Sequence, residues 1–100
     1  MGWSVSLNRQ AELDLERAVA FLATKSPAAA ERLGLGLVGS VFSLASLPYR
    51  GRPVVGRSGY RSVLHHPWFL IFYRIDEANG SVEIVRIWDA RQDPDSLTMG

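Results

Sequence analysis

Arginine is the residue type in this chain best suited to chemistry with a partner. The 11 basic residues are ten arginines and one lysine, and no acidic side chain occurs between Glu31 and Asp76. Six arginines lie in that interval: Arg32, Arg50, Arg52, Arg57, Arg61 and Arg74. A guanidinium binds carboxylates and phosphates in planar, bidentate geometry. A GC-rich genome would explain the residue type, but less well its one-sided distribution. The interval therefore predicts a basic surface for an acidic partner, either a protein segment or nucleic acid.

Two arginines interrupt runs that are otherwise apolar. Arg74 follows the run Trp68–Tyr73, and Arg86 lies within Val82–Ile87. An arginine inside a strand must be paired or solvated. Each is therefore an anchor for a partner's carboxylate or a member of a solvated strand face.

A tryptophan and an arginine stand at the point where the last predicted strand ends. Trp88 precedes Arg91 by three residues, and the chain then becomes polar. A tryptophan at a strand end packs in the core or, with a neighbouring arginine, contacts a ligand. Both interpretations remain for Trp88.

Two motifs of known chemistry lack the context that their chemistry needs. Gly34–Gly39 matches G-x-G-x-x-G, but it lies inside a predicted helix rather than in a turn between strand and helix. These glycines predict close packing between helices or between helix and sheet. His65 and His66 are adjacent, so in a strand they point to opposite faces and cannot chelate one ion in the usual way. No serine sits in a nucleophile elbow. The sequence predicts no cofactor, no metal and no catalytic residue.

The elements that position these residues follow from periodicity and from capping signals. Apolar residues alternate over Trp3–Leu7, and helical stripes follow Asn8 and the Ser26-Pro27 pair, each a helix-start signal. A strand is predicted at Gly59–Leu64, and a hairpin at Trp68–Asp89, whose connection ends in Asn-Gly. The prediction is an α+β fold: an N-terminal strand, an antiparallel helical hairpin and a three-stranded antiparallel meander, forming one sheet.

This order of elements has a consequence for the hairpin. Its first strand is apolar at every position from Trp68 to Tyr73, so both faces should be covered. The two helices cover one face, and no segment of the chain is predicted over the other. A single domain is expected over residues 3–93, with a flexible tail at 94–100.

The totals agree with one globular domain. The chain has 100 residues, 47% of them hydrophobic, and no cysteine. It has no apolar run of membrane-spanning length and no basic leader followed by an apolar segment. A soluble cytoplasmic protein without a membrane partner is expected.

Several short motifs then resemble one family when they are taken in order. They are Ala11-x-x-Asp14-Leu15, Ser26-Pro27 with Ala30, Leu47-Pro48-x-x-Gly51-Arg52, Gly59-Tyr60-Arg61, Ile71–Ile75, Val82–Ile87 and Arg91-Gln92-Asp93. From about Val5 to Asp93 the chain resembles the ParE-type branch of the RelE/ParE superfamily. These proteins are the toxins of bacterial type II toxin–antitoxin modules.

The resemblance implies a function and partners. A ParE-like toxin inhibits DNA gyrase by binding, without catalysis, and arrests growth. A cognate antitoxin neutralises it in a hetero-oligomeric complex; its acidic C-terminal segment lies on the toxin, and its N-terminal part is a ribbon-helix-helix-type DNA-binding unit. On this basis Arg61, Arg74 and Arg86 are predicted to bind the antitoxin. Trp88 and Arg91 are predicted to bind the target.

The RelE-like branch offers the main alternative, a ribosome-dependent mRNA interferase with an atypical site. Ribonuclease members carry an arginine where this chain has Leu70, and a tyrosine near the place of Leu97. Many relatives also have a histidine where Trp88 stands, three residues before Arg91. No base and acid can be assembled around Arg91, so the chain is predicted not to be an enzyme. A degenerate member kept as a non-toxic interaction module is a further alternative.

Overall fold

Both helices begin at a residue whose side chain caps them. In the computed structural model, which describes residues 2–99, strand β1 (Ser4–Leu7) leads into helix α1 (Arg9–Ala23). The Asn8 side chain accepts a hydrogen bond from the Ala11 N–H at 2.8 Å. Ser26 caps helix α2 (Pro27–Ser43) in the same way. Each cap satisfies an N–H of the first turn, which confirms both predicted helix starts. Neither helix is long and apolar enough to cross a membrane.

One mixed sheet carries the remaining strands. They are β2 (Arg52–Pro53), β3 (Tyr60–His65), β4 (Phe69–Asp76) and β5 (Ser81–Asp89). The order is β1-β5-β4-β3-β2, in which β1 runs parallel to β5 and the other pairs are antiparallel. The predicted α+β architecture is confirmed. The structure adds the two-residue strand β2, which is too short to give a periodic signal in the sequence.

The helices pack on one face of the sheet and form the main core. Its fully buried side chains include Leu37 and Val41 of α2 and Ile71, Tyr73 and Ile84 of the sheet. One glycine of α2 permits close packing. A Cβ on Gly36 would lie 3.1 Å from the His65 ring, which is a tight contact, whereas a Cβ on Gly34 would make an ordinary van der Waals contact with Val19 of α1 at 3.4 Å. The packing interpretation of the glycine motif therefore holds at Gly36, and Gly39 faces open space.

The second face of the sheet is covered by the end of the chain. The prediction that no segment covers it is wrong. After β5 a short 3-10 turn at Pro94–Ser96 brings Leu97 and Met99 onto this face. Met99 is only 5% exposed and packs with Phe72, Val85 and Trp88. The sequence did not predict this contact, because two apolar side chains in a polar tail form too weak a periodic pattern. Gly100 lies outside the described residues, and the flexibility of the tail stays a prediction.

Candidate functional site

Arg86 is held inside the chain by a bulge and an ion pair. Phe72 pairs with Arg86 while Tyr73 pairs with Ile84, so β5 carries one extra residue between them. Beyond Ile84 the edge of β5 no longer has β1 beside it. The Asp14 carboxylate of α1 fills that edge. It accepts hydrogen bonds from Arg86 Nε at 2.8 Å, from Arg86 Nη2 at 3.1 Å and from the Ile87 N–H at 3.0 Å.

The same guanidinium also connects the sheet to the C-terminal tail. Arg86 Nη1 donates to the Thr98 carbonyl at 2.7 Å, and the guanidinium carbon lies 5.4 Å from the centre of the Trp88 ring. Arg86 is 8% exposed and Trp88 is 6% exposed. Both residues, predicted to bind partners, are therefore buried in this structure. The arginine is paired, as burial requires.

The other two arginines assigned to the antitoxin lie on opposite faces of the sheet. Arg74 is paired across the strands with Tyr60, which packs on the second face, so Arg74 shares that face. It is exposed and forms an ion pair with Glu83 at 2.7 Å. Arg61 follows Tyr60 and thus faces the helix side, where its Nη1 donates to the Gly51 carbonyl at 2.8 Å. The structure does not bring Arg61, Arg74 and Arg86 into one patch.

The loop that holds Arg61 is fixed by a buried tyrosine. The Tyr73 hydroxyl donates to the Pro48 carbonyl at 2.6 Å and accepts from the Gly51 N–H at 3.0 Å. Burial raises the pKa of Tyr73 above its ordinary value, so the hydroxyl stays protonated and keeps its role as donor. The Leu47-Pro48-x-x-Gly51 motif therefore binds the Tyr73 side chain, and these bonds fix the position at which the basic loop starts.

Arg91 forms an exposed platform with two neighbours. Its guanidinium carbon lies 3.9 Å from the centre of the Trp68 ring, and its Nη2 lies 2.6 Å from Asp89 Oδ2. Hydrogen bonds from Arg91 hold the pKa of Asp89 below its usual range. The Arg91 side chain is 57% exposed. The arrangement is a preorganised cation on an aromatic face, which suits docking against another surface.

Trp68 is the member of this platform that sequence reasoning missed. The sequence predicts that Trp68 belongs to the covered hairpin strand, but it lies just before β4 and is 37% exposed. The Ala90 N–H donates to the Trp68 carbonyl at 2.9 Å, which brings the start of β4 beside the exit of β5. The register that brings them together depends on the bulge of β5, which the sequence pattern does not show.

The platform has little means of proton transfer. The indole of Trp68 does not titrate in the physiological range, and Asp89 uses both carboxylate oxygens to accept from Arg91. A general base needs a free acceptor within reach of the proton that it takes. Between residues 2 and 99, no three His, Asp or Glu side chains come together as metal ligands. The chemistry that this arrangement supports best is recognition.

His65 has a structural role that predicts a dependence of stability on pH. Its Nδ1 lies 2.7 Å from Ser40 Oγ, and burial, followed by the charge of His66, lowers the pKa of His65. As pH falls below about 6.5, the His65 imidazole becomes protonated in the unfolded chain before it does in the folded chain. Stability is therefore expected to fall below that pH. Urea unfolding between pH 5 and 7.5 should show a smaller loss in His65→Gln than in the parent, and parallel curves would contradict this. His66→Gln removes only the second of the two causes and should reduce the loss by less than His65→Gln does.

Comparisons with known proteins agree with this fold. A family model described as the ParE toxin of the type II toxin–antitoxin system parDE matches residues 5–94. A solved structure of the chromosomal ParDE toxin–antitoxin system from P. aeruginosa superposes with a TM-score of 0.74 at 24% identity, covering 85% of this chain and 92% of that one. The toxin–antitoxin complex RelBE2 from Mycobacterium tuberculosis gives a TM-score of 0.66 at 26% identity, covering 87% and 96%. No curated protein matches significantly.

Proposed function

The chain belongs to the ParE toxin family of type II toxin–antitoxin systems, and from this premise we propose that it inhibits DNA gyrase by binding and is neutralised by a cognate antitoxin. The observation that carries the proposal is the platform of Arg91, Trp68 and Asp89. An exposed arginine held on a tryptophan contributes strongly to protein interfaces, because both side chains lose little freedom on binding. We propose Arg91 and Trp68 as target-facing residues. Trp88 is left out of this proposal because it is buried among Phe72, Val85 and Met99.

A supercoiling assay with purified toxin and gyrase tests the proposal directly. The parent toxin is expected to inhibit supercoiling, and Arg91→Ala and Trp68→Ala are each expected to need a roughly 30-fold higher concentration, the loss of a typical hot spot. Arg32→Ala, an exposed arginine on α2, is the matched control and should act like the parent. Normal supercoiling at high excess of the folded parent toxin would contradict gyrase inhibition.

We propose Arg61 and Arg74 as contacts for an acidic segment of the antitoxin. Both lie in the interval without acidic side chains, and the Arg74 side chain is 55% exposed. The two faces that they occupy require an antitoxin that wraps around the basic edge formed by β2 and β3. Arg86 is left out of this proposal because its donors already bind Asp14 and Thr98.

The similarity to the RelBE2 complex favours mRNA cleavage on the ribosome as a second candidate. Primer-extension mapping of transcripts after induction separates the two functions. Codon-positioned cuts that disappear in Arg91→Ala would support the ribonuclease, and intact transcripts together with inhibited supercoiling would support gyrase as the target. Normal growth on expression without the antitoxin would instead indicate a non-toxic interaction module.

A further inference from the structure

The hairpin formed by β2 and β3 lies at the outer edge of the sheet and has an ordered, exposed turn. The Arg57 N–H donates to the Val54 carbonyl, and the Tyr60 N–H donates to the Arg57 carbonyl, each at 3.2 Å. Gly56 and Gly59 stand at the third position of these two turns with φ angles of 78° and 86°, as type II turns require. Arg57 therefore lies at the junction of two turns, at the tip of the hairpin, and is exposed.

Basic side chains lie on both faces of this hairpin. Arg61 faces the helix side, so the next residue, Ser62, faces the second side of the sheet. Arg52 pairs with Ser62 across the two strands and shares its face. Arg50, which leads into β2, lies on the helix side, where its Nη2 donates to Ser43 Oγ at 2.8 Å. The hairpin therefore carries positive charge on its two faces and at its tip.

Three of these arginines have no acidic partner within residues 2–99. They form the basic hairpin cluster, Arg50, Arg52 and Arg57. The hairpin has no carboxylate of its own, because it lies inside the interval without acidic side chains. Arg61 is not counted in the cluster, since it lies over the Tyr49 ring, whose hydroxyl donates to Glu77. All three members of the cluster are exposed and free to bind an external anion.

The placement of the cluster favours duplex DNA over an extended acidic peptide. A peptide strand follows one face of a hairpin, whereas a DNA groove has a row of phosphates on each side. A two-stranded β-ribbon fits the major groove of B-DNA, about 12 Å wide, but not the deep, narrow major groove of A-form RNA. The tyrosine of the hairpin, Tyr60, packs on the sheet and does not offer a free ring on which single-stranded bases could stack.

We propose that the β2–β3 hairpin enters the major groove of duplex DNA and that the basic hairpin cluster binds backbone phosphates. Arg50 and Arg52 reach phosphates on opposite sides of the groove, and Arg57 binds at the tip. Phosphate contacts carry no sequence information, so binding is independent of DNA sequence. The contact is separate from the platform of Arg91 and Trp68 and does not depend on which target the toxin inhibits.

Fluorescence anisotropy with the full-length toxin and a labelled DNA duplex of arbitrary sequence tests the proposal. Three phosphate contacts predict that the logarithm of the binding constant falls with the logarithm of salt concentration with a slope of about −3. Arg52→Ala and Arg57→Ala are each expected to weaken binding about fivefold at low salt and to reduce the slope by about 1.

Two control variants separate a phosphate contact from other effects. Arg57→Lys should retain most of the affinity, because a lysine also binds phosphate as a point charge. Arg32→Ala removes an exposed arginine of α2, away from the hairpin, and should bind DNA like the parent. Thermal unfolding checks that every variant is folded.

The remaining outcomes would overturn the proposal. Lack of binding by the folded parent at about 50 mM salt would do so, and so would equal losses in Arg32→Ala and Arg57→Ala, which would indicate attraction by net charge alone. Tighter binding of single-stranded RNA than of duplex DNA would assign the cluster to RNA. Weakened antitoxin binding with unchanged DNA binding in the Arg52 and Arg57 variants would assign it to the antitoxin. None of these results bears on gyrase inhibition, which the supercoiling assay measures separately.

Discussion

Asp14→Ala is expected to lower the free energy of unfolding by about 3–5 kcal/mol, the cost of leaving a buried charge without its partner. The carboxylate accepts from four donors: Nε and Nη2 of Arg86, the Ile87 N–H at the bulge and the side-chain amide of Gln10 on the same helix. The Asp14 and Arg86 side chains are 8% and 10% exposed, so water cannot replace the lost bonds without opening the structure. Urea denaturation at neutral pH, monitored by tryptophan fluorescence, measures the change.

The exposed ion pair between Arg74 of β4 and Glu83 of β5 is a matched control in the same sheet. Its side chains are 55% and 37% exposed, and Glu83→Ala should cost no more than about 1 kcal/mol. Replacing Asp14 and Arg86 together with leucine and methionine should cost less than Asp14→Ala alone, because no charge is then left unpaired. Equal losses for Asp14→Ala and Glu83→Ala would show that the buried pair does not stabilise this edge.

The fold could be predicted because its signals are local. Asn8 and Ser26 start the helices by bonding groups three residues away, and the apolar stripes that follow have helical spacing. The hairpin turn is local too. Gly80 adopts a positive φ of 61°, and the Asp76 side chain accepts from the Asn79 N–H. Such interactions depend on a few neighbouring residues and can be read without tertiary structure.

The positions of the site residues could not be predicted because they depend on long-range register. Arg86 binds Asp14, which is 72 residues away, and the bulge that places Arg86 on the same face as Phe72 leaves no mark in the local sequence pattern. The sequence argument correctly required a partner for a strand arginine, but sought that partner outside the chain. The burial of Met99 was not predicted for a similar reason, since the side chains that it packs with, Phe72, Val85 and Trp88, are distant in the sequence.

The alternation of side chains along a strand does indicate which arginines can share a face of the sheet, and the sequence prediction did not use it. Adjacent residues of a strand face opposite sides, so Arg61 and Tyr60 had to separate. The pairing of Tyr60 with Arg74 required the register of β3 and β4, which the turn at His66 and Pro67 did not define in advance. A basic interval in sequence therefore became two surfaces on either side of one sheet edge.

Gly51→Ala is expected to destabilise the chain by about 3 kcal/mol, from overpacking and from disturbed hydrogen bonds in a buried site. A Cβ at this position would lie 2.8 Å from the Ser62 carbonyl oxygen and closer still to the Tyr73 hydroxyl. The φ of Gly51 is −77°, so backbone strain is not the cause, and the effect comes from the added Cβ in this crowded, hydrogen-bonded site. Urea denaturation measures the loss.

A double-mutant cycle with Tyr73→Phe tests whether the Tyr73 hydroxyl is the group that clashes with a Cβ at position 51. Tyr73→Phe alone should cost about 1–3 kcal/mol, because it leaves the Gly51 N–H and the Pro48 carbonyl unpaired. In the Gly51→Ala background the same change also removes the clashing oxygen, so the double variant should be more stable than the sum of the two losses predicts. Gly39→Ala, in open space on α2, should instead stabilise the chain by about 1 kcal/mol. Additive losses in the cycle would mean that Gly51 is needed for a reason other than its contact with Tyr73.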